Sequence, residues 1–187
     1  MPVTSYVTRW LKGLFALTIS LRRTGTATVT EEKGLPGLDV QYTVDGDSLP
    51  TQHEFECWVR SALEPMNNAV ELAIRIVDEQ EGRQLNSRYR GIDKATNVLS
   101  FPLEAPPGVD SGYLGDLVIC APVVQREAQQ QHKPEKHHWA HMVVHGVLHL
   151  RGYDHQLDAQ AEEMEILEKQ ILAGLGIQDP YKTDVAV

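Results

Sequence analysis

The spacing of apolar residues changes several times along the chain, and each change marks an element. Leu38, Val40 and Tyr42 alternate with polar neighbours, which predicts a strand over 38–44. Thr51-x-x-Glu54 has the form of a capping box. Phe55, Trp58, Val59 and Leu63 then follow at helical spacing until Pro65 stops them. Leu72, Ile74 and Ile76 alternate in a second strand over 71–78, and residues 79–90 read as a short helix. A third strand over 97–103 is halted by Pro102. A Gly/Pro-rich loop over 105–112 leads to a fourth strand at 116–120. Pro122 opens a helix to about Gln131, and His132-Lys133-Pro134 breaks it. Two further helices are predicted, at about 135–150 and about 157–172. In the last, Ala161, Met164, Leu167 and Ile171 form a stripe expected to be core. Four strands with about five helices make an α+β fold, a small mixed four-stranded sheet packed with helices.

Composition narrows the class without changing that picture. The chain has 187 residues, 42% hydrophobic and 23% charged, which excludes low-complexity disorder, collagen and coiled coil and allows a real core. A net charge of −9 argues against a general nucleic-acid coat protein but leaves room for a local basic groove. Cys57 and Cys120 lie in apolar surroundings and read as buried thiols. They form no C-x-x-C pair, so a thiolate zinc site is not on offer. Residues 1–30 contain no acid, and Arg9, Lys12, Arg22 and Arg23 flank an apolar run at 13–21 that is too short to span a bilayer. It also lacks a small-residue cleavage site. Residues 1–37 are therefore expected to be a poorly ordered extension, closed by the turn cluster Gly34-Leu35-Pro36-Gly37. The functional domain is expected over 38–187, in a cytoplasmic protein with no membrane association.

The chemistry concentrates in the histidines. Seven of the eight lie between residues 132 and 155. His145 and His149 are four residues apart on a predicted helix, so both rings leave one face about one turn apart. Gly152 then allows the chain to turn back, and His155 can approach the same point from the other side. Three imidazoles suit a catalytic zinc, which keeps its fourth position for water and lowers that water's pKa to about 7. The expected metal site thus sits on the penultimate helix and the bend that follows it. Three successive turns cannot all converge on one ion, so His141 is expected behind the ligands or against substrate. Asp154 is a candidate acceptor for an imidazole N–H. A zinc peptidase of the H-E-x-x-H type would carry its general base at the position of Gly146, which disfavours that chemistry.

Three segments resemble a known family. The run His145-Gly146-Val147-Leu148-His149-Leu150-Arg151-Gly152-Tyr153-Asp154-His155 resembles the H-G-x-L-H-L-x-G-Y-D-H signature of the YbeY endoribonucleases. Residues 86–102, from Asn86 through Tyr89-Arg90 and Asp93 to Val98-Leu99-Ser100-Phe101-Pro102, are similar to a second block of that family. Leu114-Gly115-Asp116-Leu117-Val118-Ile119 is similar to a third. Ala95, where many members have Pro, departs from the pattern. The resemblance covers about residues 38–181 and leaves the extension outside it.

The resemblance implies a metal-dependent, single-strand-specific endoribonuclease that matures ribosomal RNA, notably the 3′ end of the small-subunit RNA, and acts in ribosome quality control. It implies partners in the small ribosomal subunit and its assembly factors. It also implies zinc on His145, His149 and His155 and a role in activity for Arg90. The residues lend their own support, since a guanidinium can hold phosphate oxygens bidentately and Arg83, Arg88 and Lys94 lie near Arg90 in sequence. Tyr89 and Tyr153 read either as base-stacking or as packing residues. His141 and Asp154 are candidate proton donors. Two other readings are a non-catalytic ribosome-assembly factor with a structural zinc and, less favoured, a zinc peptidase.

Overall fold

The structure is a computed structural model that describes residues 37–46, 48–64, 66, 70–103, 112–155 and 157–182. The extension expected over 1–37 lies almost wholly outside the described residues, as does most of the loop expected over 105–112.

The strands are β1 (Leu38–Tyr42), β2 (Glu71–Val77), β3 (Val98–Pro102) and β4 (Tyr113–Cys120), joined in one sheet of order β1-β2-β4-β3. β1, β2 and β4 run parallel, and β3 pairs antiparallel with β4 at one edge. Five helices accompany them among the described residues: α1 (Gln52–Leu63), α2 (Glu79–Arg90), α3 (Ala121–Gln130), α4 (Glu135–Leu150) and α5 (Asp158–Gly174). The expected α+β class, with a mixed four-stranded sheet, is what the chain adopts.

Period-2 alternation divides the strand residues between two faces. On one face Leu72, Ile74, Ile76, Leu117, Ile119 and Val98 meet the apolar sides of α1, α4 and α5. There Phe55 of α1 and Trp139 of α4, both fully buried, meet edge to face with centroids 6.1 Å apart. On the other face Val77, Leu99, Phe101 and Val118 form a smaller cluster with Leu85 of α2 and Val123 of α3. The capping box of α1 forms as its sequence predicts: the Glu54 N–H donates to Thr51 Oγ1 at 3.3 Å, and the Thr51 N–H donates to Glu54 Oε2 at 2.8 Å.

Two details differ from the reading of the sequence. β4 begins at Tyr113 rather than Asp116, because Tyr113 and Gly115 take up partners on Glu71 and Leu72 of β2. In α5 the fully buried positions are Met164, Glu168 and Leu172, while Ala161, Leu167 and Ile171 are only partly covered. The buried stripe is therefore rotated from the expected one, and it contains a carboxylate. Cys120 is buried, but Cys57 is only half-buried, on α1; both are free thiols.

Candidate metal centre

α4 lies on the sheet through Gly146. A Cβ at that position would stand 2.8 Å from Leu117 Cδ2 and 3.4 Å from Val98 Cγ2, so only glycine lets the helix approach this closely. Ser100 Oγ of β3 donates to the Gly146 carbonyl at 3.4 Å in the same contact. With Gly146 against the sheet, the stripe His141, His145 and His149 runs along another side of the helix, where all three are half-buried.

The helix ends at Leu150, and Gly152 takes φ +94°, a left-handed conformation that strains any residue with a Cβ. The chain doubles back there, and the Tyr153 N–H donates to the Leu148 carbonyl at 3.1 Å. His155 returns with its ring centroid 5.6 Å from that of His145 and 4.9 Å from that of His149. One nitrogen from each of His145, His149 and His155 lies within 4.8 Å of the others.

Hydrogen bonds set the tautomers of two of these rings. His145 Nδ1 lies 2.7 Å from Glu168 Oε1, and His149 Nδ1 lies 2.9 Å from the Tyr153 carbonyl. An ionised carboxylate and a carbonyl only accept, so each neutral ring carries its proton on Nδ1. The two Nε2 atoms are then bare, and they face one another at 3.1 Å. Two lone pairs that close repel unless a cation stands between them. A tetrahedral zinc, with bonds of about 2.0–2.1 Å, sets its nitrogen ligands roughly 3.3 Å apart, so the donor set fits such an ion.

The surroundings favour the ionised form of Glu168 and the neutral form of His149. Burial raises the pKa of Glu168, but hydrogen bonds from His141, His145 and the Tyr181 hydroxyl outweigh it and bring it down to about 2. Glu168 is thus a carboxylate although only 1% exposed. Burial, followed by the nearness of His145 and His155, lowers the pKa of His149 and favours the neutral form a metal needs. His141, lowered chiefly by burial, places Nε2 3.1 Å from Glu168 Oε2. His141, His145 and Glu168 also offer three ligand atoms within 4.8 Å of one another. The short contacts among those atoms satisfy N–H donors with a carboxylate, an arrangement that aims a ligand rather than binds an ion.

Other residues singled out in the sequence are placed differently. Asp154 Oδ1 accepts the backbone N–H of His155 at 2.8 Å and lies 3.9 Å from the His155 Nδ1, too far for a hydrogen bond. Arg90 is exposed at the end of α2, and residues 91–97 join it to β3. Arg83 is engaged by Asp93 through two 2.6 Å contacts, which matches its charge locally. Tyr89 meets Phe101 edge to face at 5.0 Å and packs against the smaller core cluster. Lys94 is exposed. Sequence reasoning missed Glu168 and Tyr181. The available signal was a glutamate midway between Met164 and Leu172, four residues from each, on an otherwise apolar side of α5.

Among the described residues no helix is long and apolar enough to cross a membrane. A solved protein of Thermotoga maritima, TM1509, is 22% identical, with coverage of 78% of this chain and 99% of its own and a TM-score of 0.49. The model of the family described as Endoribonuclease YbeY matches residues 41–176, a span holding the whole sheet apart from the first residues of β1, Arg90, Glu168 and all three converging histidines. On the extent of that match, the chain belongs to the YbeY endoribonuclease family.

Proposed function

We propose that this protein is a zinc-dependent endoribonuclease that cuts single-stranded RNA during maturation of ribosomal RNA, notably at the 3′ end of the small-subunit RNA. Ribosome quality control, contact with the small subunit and its assembly factors, and a cytoplasmic location belong to the same reading. The RNA substrate is supported by membership of the family. The metal is supported by one observation above all, the two bare Nε2 atoms of His145 and His149 facing each other at 3.1 Å with His155 beside them.

His145, His149 and His155 would hold the ion, which supplies Lewis acidity towards water and a phosphate oxygen. The protein's own groups do the rest. Glu168 fixes the tautomer and direction of His145, and the Tyr153 carbonyl does so for His149. Arg90 holds a non-bridging phosphate oxygen and offsets the charge that builds up there as the bond breaks. Its exposed place at the end of α2 leaves the guanidinium accessible to a polymer. A peptidase finds no support, since a glutamate in place of Gly146 would be driven into Leu117 rather than towards substrate.

Metal analysis and RNA cleavage test this together. The purified protein is expected to bind one zinc per chain, and His149→Ala to lose it. Arg90→Ala is expected to keep zinc but cleave single-stranded RNA about 10²–10³-fold more slowly, the usual cost of removing one transition-state donor. Equal zinc in wild type and His149→Ala would reject the site. Zinc binding without RNA cleavage by nuclease-free protein would favour the non-catalytic assembly factor.

A further inference from the structure

The bend that carries His155 also walls a cavity of about 500 Å³. Leu150, Arg151, Tyr153, Asp154, Gln160 and Glu163 line it. Its wall is continuous with the candidate metal centre: the Tyr153 carbonyl is bonded to His149, and Asp154 directly precedes His155. The cavity and the candidate metal centre therefore share the bend from Leu150 to His155.

The lining tells against a phosphate. Asp154 and Glu163 bring two carboxylates to the cavity. The one cation among its described lining residues, Arg151, already donates to the Ala62 carbonyl at 2.7 Å and lies 5.4 Å over the Tyr153 ring. A flat, uncharged group that donates N–H bonds suits this lining. Leu150 supplies apolar wall, Arg151 and Tyr153 bring two flat side chains to the lining, and the carboxylates accept. Single-stranded RNA offers such a group in its unstacked bases, which proteins hold on aromatic and guanidinium planes and read along their Watson–Crick edges. Guanine presents two parallel donors, N1–H and N2–H, that match the two oxygens of one carboxylate. Uracil flanks its single N–H with two carbonyl oxygens, which a carboxylate repels.

We infer that this cavity is a nucleobase subsite for the nucleotide beside the cut, and that it favours guanine over uracil through the Glu163 carboxylate. The inference rests on the endoribonuclease reading above.

The test uses full-length, zinc-loaded protein and single-stranded oligouridylates that carry one guanosine at a set position, with cleavage positions mapped. Wild type is expected to cut beside the guanosine roughly 5–150-fold faster than within the uridine run, the usual discrimination from a two-point base contact. Glu163→Gln presents an N–H₂ where an acceptor is needed, and most of that ratio is expected to disappear. Glu163 is exposed on α5, and the groups that hydrogen-bond His145 and His149 are Glu168 and the Tyr153 carbonyl, so zinc content and melting temperature are expected to match wild type. Wild type that cuts guanosine and uridine sites equally, or a ratio unmoved in Glu163→Gln, overturns the subsite and leaves the nuclease standing. Zinc-loaded wild type that cuts neither oligonucleotide overturns the nuclease reading and this inference with it.

Discussion

Glu168 shows how much one buried side chain can decide. Its two oxygens receive His145, His141 and the Tyr181 hydroxyl, so a single carboxylate ties α4, α5 and the segment after α5 to the direction of one imidazole. Glu168→Gln leaves an acceptor on one side but puts an N–H₂ against another N–H or O–H donor. Zinc affinity is expected to fall about 10–100-fold, measured by competition with a chelator of known affinity. Tyr181→Phe removes one hydrogen bond and keeps the charge. It is expected to cost about 1 kcal/mol of stability by chemical denaturation, with a smaller change in zinc affinity. The three histidines were legible in the sequence because helical spacing and a glycine bend bring them together locally. Glu168 was not, because nothing in the local pattern states that residue 168 will dock against residue 145. That pairing is decided by how α5 lies across α4.

At the scale of elements, the decisive contact is α4 against β3 and β4. Gly146→Ala inserts a methyl group 2.8 Å from Leu117 Cδ2, and overpacking of this kind costs about 1–3 kcal/mol. For a domain of this size that corresponds to a fall in melting temperature of roughly 2–12 °C, measurable by calorimetry. Activity is expected to fall as well, because His145 and Ser100 flank the same stretch of helix. Strand and helix order was readable from period alone, since each core strand alternates and each helix turns an apolar side inward. The start of β4 was not, because Tyr113 to Gly115 join the ladder by pairing with β2 rather than by any apolar alternation of their own. The stripe on α5 was misread for a related reason: partly covered Leu167 and Ile171 draw attention from buried Glu168.

For the whole molecule, the histidines tie stability to pH. His141 and His149 both have pKa values lowered from 6.5, mainly by burial. Below that ordinary value the unfolded chain binds protons that the folded chain resists, so the free energy of unfolding, and with it stability, falls as pH drops through the region near 6.5 and below. Metal-free protein is expected to melt at a lower temperature at pH 5.5 than at pH 7.5. Added zinc is expected to raise the melting temperature at the higher pH far more than at the lower, because protons and metal compete for the same nitrogens. Glu168 acts in a separate window. Its depressed pKa means that its contribution is complete above about 4.5 and lost as pH falls towards about 2.

The reach of Glu168 from α5 to His145 also separates owning the ligands from having a working centre. A fragment ending at Gln160 would possess every imidazole of the proposed ion cage, yet nothing would hold the His145 ring at its angle. Such a truncated product should scavenge metal loosely and cut nothing. An assay that scores only whether zinc co-purifies would mistake it for intact enzyme.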